Sequence, residues 1–171
     1  MIVGVGVVYW WPKRVEPVIP LVKEYPLLKN TIENLEKRQY DSQIFLDNEV
    51  SNGVFEFHFD SDGKVVTGLA HIPDGCNKCP VIAQLRGYAE VEGYESGFGT
   101  RHSAEAFAKA GFISLAPDFL GYGGSASPSA DVFEARFETY TTALNLLAAI
   151  EKWDKTENIG IWGHSNGGQI A

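Results

Sequence analysis

The chain has 171 residues, enough for one domain and a tail. Hydrophobic residues make up 44% and charged residues 21%, a globular balance that excludes disordered, collagen-like and fibrous classes. Lys and Arg total 14 against 22 Asp and Glu, a formal net charge of -8, and no basic run offers a footprint for nucleic acid. Two cysteines are too few for a disulfide scaffold.

Residues 2–11 read IVGVGVVYWW, an uncharged apolar run closed by Pro12, Lys13 and Arg14. A membrane-spanning helix needs about 20 such residues, so this run is too short to cross a bilayer. A signal peptide carries its basic residues before the apolar stretch, and here they follow it. Three readings stay open: the end of a longer anchor whose start lies outside this chain, a buried strand in which Val3, Val5 and Val7 alternate with Gly4 and Gly6, or a degenerate signal. Trp10 and Trp11 ahead of Lys13 and Arg14 suit a membrane–water boundary, which favours the anchor. Pro12, Pro17, Pro20 and Pro26 then prevent helix and favour a stiff extended linker. Leu27, Leu28, Ile32 and Leu35 recur at helical spacing behind Pro26 and predict a short amphipathic helix over 27–38, with Lys29, Glu33, Glu36 and Lys37 solvated. The organisation is therefore an apolar segment at 1–11, a proline-rich linker with a short helix at 12–41, and a folded portion at 42–171.

From residue 42 the period changes. Residues 43–46 and 54–59 predict strands, the second with Phe55, Phe57 and Phe59 alternating with Val54, Glu56 and His58. Asp60-Ser61-Asp62-Gly63 is a turn by composition, and 65–72 returns as the partner strand of a hairpin. His58 and His71 lie in its strands, where a lone histidine is ordinarily structural. Residues 80–85 form an apolar strand, 100–110 a helix stopped by Gly111, and 112–116 the next strand. A long helix over 131–153 carries Phe133, Phe137, Tyr140, Leu144 and Leu147 at i, i+4, i+7, i+11 and i+14. Asp131 with Glu134 three residues later makes a capping-box-like start. Residues 158–162 are a last apolar strand. Strands alternating with helices predict an α/β fold, a mostly parallel sheet with an N-terminal antiparallel hairpin and helices on both faces.

Gly163-His164-Ser165-Asn166-Gly167-Gly168 follows that last strand and fits G-x-S-x-G. The spacing has a mechanical cause: the chain turns sharply from strand to helix, placing the serine at the strand tip with its hydroxyl outward. Bulk two residues to either side would block the turn, so Gly163 and Gly167 are structural. The new helix begins beneath the serine, and its N-terminal dipole favours negative charge on a nearby oxygen.

With these residues in view, the chain resembles the α/β-hydrolase superfamily, and within it the catalytic domains of prolyl oligopeptidase-like serine peptidases and dienelactone-hydrolase-like esterases. The resemblance covers about residues 50–171 and rests on three pieces in order. These are the hairpin ending in HIPDG followed by PVIAQLRGY (80–88), PDFLGYGGS (117–125), and GHSNGG (163–168). It implies an incomplete α/β-hydrolase fold and a serine hydrolase that cleaves an ester or peptide bond through an acyl-enzyme, with no metal or organic cofactor. Ser165 is then the nucleophile and the Asn166 backbone N–H the first oxyanion donor. The second donor falls in Arg86-Gly87-Tyr88, with Tyr88 chosen, through either its N–H or its hydroxyl. Relatives commonly have His-Gly where this chain has Arg86-Gly87. Asp118, Gly121 and Gly123 are expected to shape a turn rather than react. His164, adjacent to Ser165 on a tight turn, is expected to pack under the bend, and His102 to be structural.

A serine hydroxyl needs a base, and the base an orienting carboxylate. In this fold the chain order is Ser, then Asp or Glu, then His. Six residues follow Ser165, none acidic and none histidine. The triad acid and histidine are accordingly expected downstream of Ala171, and the 171-residue chain is expected to be inactive alone, with its last strand left as an open edge. The reading within the superfamily leans to a serine-type peptidase of the prolyl oligopeptidase type, with small-ester hydrolysis as the alternative. A non-catalytic binding protein that keeps the fold is the alternative from another class. The substrate is a small-molecule ester or a peptide. The chain would be membrane-anchored through residues upstream of Pro12 with an exported domain, or else cytoplasmic. For Cys76-Asn77-Lys78-Cys79, a local disulfide and two free thiols both stay open; Pro80 and a following strand argue against a thioredoxin-like motif.

Overall fold

The computed structural model describes Met1 and residues 25–171. The run at 2–11 and the linker up to residue 24 lie outside the described residues, and with them the anchor, strand and signal readings. No helix among the described residues is long and apolar enough to cross a membrane.

The helix expected over 27–38 is broken in two. Pro26–Asn30 forms a 3-10 turn with proline in its first turn, and Ile32–Lys37 forms a short helix, α1. Between them Thr31 is extended (φ -69°, ψ 154°). Leu28 and Ile32 consequently face solvent, 55% and 72% exposed. So short an apolar stripe gains helicity only by packing on something, and here the segment is tethered by a polar contact instead: Lys29 pairs with Glu134.

Six strands form one sheet: β1 (Phe45–Ser51), β2 (Val54–Ser61), β3 (Lys64–His71), β4 (Cys79–Leu85), β5 (Ile113–Pro117) and β6 (Thr156–Gly163). Their order is β1-β2-β3-β5-β4-β6. The pairs β1/β2, β2/β3 and β3/β5 are antiparallel, whereas β4 runs parallel to both β5 and β6. The β2–β3 hairpin keeps strict register from Val54–His71 to Ser61–Lys64. Its turn is fixed by left-handed Asp62 and Gly63 (φ 60° and 79°) and by the Gly63 N–H donating to the Asp60 carboxylate at 2.9 Å. Alternation buries Phe57 and Phe59 completely and leaves Glu56 and Asp60 outside. β1 begins two residues later than the sequence predicts and runs on to Ser51; it is largely exposed, and its pairing with β2 is irregular on both sides of Glu49. At the opposite edge β6 pairs regularly with β4 from Val81–Ile159 to Leu85–Gly163, and Ile159 and Ile161 stay 40% and 46% exposed.

Helices cover both faces. α2 (Arg101–Lys109) packs on β5 and β3, and α3 (Val132–Glu151) on β2, β4 and β6. Asp131 caps α3, its carboxylate accepting from the N–H groups of Phe133 and Glu134 at 2.9 Å each. The reciprocal half of a capping box is absent, because Glu134 bonds Lys29 and Ser129 while the Asp131 N–H donates to the Ser129 hydroxyl. The buried residues of α3 are Thr141, Thr142, Ala143, Asn145, Leu146, Ala149 and Ile150, a face rotated away from the Phe133 series; Phe133 itself is 67% exposed. Polar inner positions cause the rotation. Thr142 bonds the Ser61 hydroxyl at 3.1 Å, and the Asn145 amide donates to Ser61 and Asp62. The core lies between α3 and the sheet, around Phe57, Phe59, Val81, Leu115, Leu146 and Ile150.

Candidate active site

The parallel strands β4, β5 and β6 end together at Leu85, Pro117 and Gly163. Segments leaving the carboxyl ends of such strands are where sites are built in open α/β sheets. At the other end of β4, Cys76 and Cys79 are joined by a disulfide that closes the loop entering the strand.

β6 passes through His164 and Ser165 directly into α4 (Asn166–Ile170). Ser165 has φ 54° and ψ -120°, a conformation that a non-glycine residue holds at a cost of roughly 1–3 kcal/mol. The bend is held by His164 N–H to the Leu85 carbonyl at 3.2 Å, Gly167 N–H to the His164 carbonyl at 2.9 Å, and Gly168 N–H to the Ser165 carbonyl at 3.0 Å. It tolerates no side chain at its flanks. A Cβ on Gly163 would stand 2.6 Å from the Gly167 carbonyl oxygen, and one on Gly167 would stand 2.7 Å from that of Arg86. Ser165 is exposed at the tip of the bend. His164 is exposed too, its ring lying parallel to that of Trp162 at 6.3 Å, so it does not pack beneath the bend. The reason is the position of β6 at the sheet edge, where nothing among the described residues covers that side. Asn166 stands at the first turn of α4, and its side-chain oxygen accepts from Arg136 at 2.8 Å.

The loop after β4 comes back against this bend. A Cβ on Gly87 would lie 3.2 Å from the Ser165 Cβ and 3.4 Å from the His164 ring nitrogen Nδ1. Tyr88, next in the chain, is 70% exposed. The nearby Glu90 carboxylate raises its phenol pKa above the ordinary tyrosine value.

Sequence reasoning treated Arg86 only as a departure from a pattern; the structure makes it the support of the loop. Arg86 is buried, 5% exposed, and donates from Nη1 to the Gly87 carbonyl and from Nη2 to the Asp118 carbonyl, both at 2.8 Å. Its guanidinium lies 4.0 Å from the Tyr122 ring centre and 4.9 Å from that of Tyr94. Asp118 ties the same region together. Wholly buried, its carboxylate accepts from Thr67 Oγ1 and Ser96 Oγ at 2.7 Å and from the Tyr94 hydroxyl at 2.8 Å. Burial and this carboxylate push the Tyr94 pKa well up. A Cβ on Gly123 would run into the Asp118 carboxylate, and Phe119 next door has φ 68°. No local sequence signal marks Asp118 as the meeting point of three segments.

The remaining histidines lie elsewhere. His58 bonds Asp47, His71 is buried at the end of β3, and His102 is on the first turn of α2. Among the described residues, no hydrogen bond joins Ser165 to a histidine or carboxylate. No group of three or more His, Cys, Asp or Glu side chains among them is placed to hold a metal ion.

The mixed sheet, its three parallel strands, the helices on both faces and the bend at Ser165 define an incomplete α/β-hydrolase fold. Solved structures agree. Acetyl xylan esterase 1 from Thermoanaerobacterium sp. JW/SL YS485 is similar with a TM-score of 0.59 at 14% identity, covering 79% of this chain and 48% of that one. Est1E from Butyrivibrio proteoclasticus, solved with ferulic acid, gives 0.53 at 24% identity over 65% of this chain and 43% of that one. The α/β hydrolase GrgF from Penicillium sp. sh18 gives 0.52 at 16% identity, over 76% and 39%. The chain thus spans less than half the length of each. No protein-family model matches it, and no curated protein does.

Proposed function

We propose that this chain carries the nucleophile-bearing part of a serine hydrolase that cleaves a small ester by acyl transfer. The observation that carries the reading is Ser165, held at positive φ and exposed where β6 turns into α4, with the Gly87 loop against it. Ser165 Oγ attacks the ester carbonyl carbon and passes its proton to a base. The oxyanion that forms is met by the backbone N–H of Asn166 and by a second donor from the Gly87–Tyr88 loop, for which the Tyr88 N–H is the better candidate because the backbone at Gly87 borders Ser165 while the Tyr88 side chain is 70% exposed. The alcohol leaves with a proton, and water then attacks the acyl-enzyme and restores Ser165. The reading requires a histidine base and a carboxylate partner, which the described residues do not place at Ser165.

The ester reading is preferred over peptide cleavage because acetyl xylan esterase 1 shares the fold and nothing in this site singles out a peptide bond. The test is a fluorophosphonate probe on the protein extended along its reading frame, with Ser165→Ala as control. Label on Ser165, found by mass spectrometry of the digested protein, supports the reading. Label elsewhere, or a frame with no acidic residue followed by histidine, overturns it.

A further inference from the structure

Between β4 and α2 the chain forms an open surface cavity of about 300 Å³, with Tyr88, Glu90, Glu92, Tyr94 and Phe98 in its lining. Its first lining residue, Tyr88, follows Gly87, on which a Cβ would lie 3.2 Å from the Ser165 Cβ, so the lining loop starts beside the bend.

Two features of the lining point to one kind of occupant. The first is aromatic. Tyr88 and Phe98 are 70% and 56% exposed, so their rings remain open to a ligand. Tyr94 is a fixed wall, its hydroxyl bonded to Asp118 and its ring edge-on to Tyr122 at 5.0 Å. The second is electrostatic. Glu90 lies close enough to Tyr88 to raise its phenol pKa, and neither Glu90 nor Glu92 has a cationic partner among the described residues. Arg86, the cation within this loop, is buried and directed at the carbonyls of Gly87 and Asp118. Open aromatic faces beside unneutralised carboxylates attract a positive charge and repel a negative one. The net charge of the chain, -8, acts in the same sense.

We propose that this cavity receives the cationic group of the ester substrate, a quaternary ammonium or protonated amine tethered to the scissile bond. The proposal rests on the ester-hydrolase reading for what happens at Ser165, but the binding step stands apart from it and is tested apart.

Choline and its uncharged isostere 3,3-dimethylbutanol are titrated separately into the 171-residue chain while NMR follows the ring resonances of Tyr88 and Phe98. Choline is expected to bind at least tenfold more tightly, and Glu92→Gln, a change at an exposed position, to remove most of that advantage while leaving the isostere unaffected. Ser165→Ala is expected to bind choline as the parent chain does. Equal affinity for the two probes, or shifts that bypass Tyr88 and Phe98, would overturn the proposal. Choline binding with no fluorophosphonate label on Ser165 would sink the hydrolase reading alone. Label without choline binding would sink the cation assignment alone.

Discussion

Gly87 and Ser165 belong to segments 78 residues apart, yet a single methyl group on Gly87 would fill the space between them, 3.2 Å from the Ser165 Cβ. That contact puts the backbone of the β4 loop beside the serine. Gly87→Ala should therefore push loop and bend apart. Labelling of Ser165 by a fluorophosphonate in the extended protein is expected to slow at least tenfold, with urea stability changed by no more than about 1 kcal/mol, since the neighbours are at the surface.

The 171-residue chain alone should hydrolyse p-nitrophenyl acetate no faster than Ser165→Ala. Turnover that depends on Ser165 would show that a base lies within these residues.

Asp118→Ala should be among the most destabilising changes in the molecule. It leaves Ser96 and Tyr94 with hydroxyls that have lost their acceptor, and Thr67 with only the Ser125 hydroxyl to donate to. At roughly 1–3 kcal/mol for each buried group left unpaired, a loss of about 3 kcal/mol or more is expected in urea unfolding.

His71 should make stability fall on mild acidification. It is 5% exposed with its Nδ1 unpartnered among the described residues. Burial lowers its pKa below 6.5; Glu105 opposes the shift and Arg101 assists it. The unfolded chain thus takes up a proton before the folded one does, and stability present above pH 6.5 is lost as pH falls towards the folded value. The urea midpoint should drop between pH 7 and pH 5, and His71→Gln should flatten the part of that drop that His71 contributes.

Cys76 and Cys79 should be silent in a thiol titration of the native, unreduced protein and should both react after reduction. Two free thiols before reduction would exclude the bond. Losing so small a covalent loop is expected to cost about 2 kcal/mol at most.

Much of this fold can be read from residues. The alternation of Phe55, Phe57 and Phe59 finds β2, and Asp131 marks the start of α3. What misleads is polarity put to structural use. Thr142 and Asn145 look like solvent residues until the β2–β3 turn supplies Ser61 and Asp62 as their partners. The buried face of α3 therefore cannot be found from its apolar spacing. β1 is obscured by Asp47, Asn48 and Glu49, which suit an exposed edge and hide a strand. At the site, local spacing suffices to point to the bend at Ser165, because a strand-to-helix turn imposes its glycines on consecutive residues. Arg86 and Asp118 leave no such trace, since their partners are backbone carbonyls and distant hydroxyls that only the folded chain assembles.

The two margins of the sheet differ in a way that gives the molecule a direction. β1 is acidic and kinked out of register, and such a margin resists the addition of a further strand. β6 breaks register near its start, then pairs evenly with β4 from Ile159 to Gly163, with two isoleucines showing. Any growth of the sheet, whether by more of the same polypeptide or by unwanted self-association at high concentration, should therefore proceed from the β6 side. A charged residue in place of Ile161 would be the economical way to discourage the second without touching the first five strands.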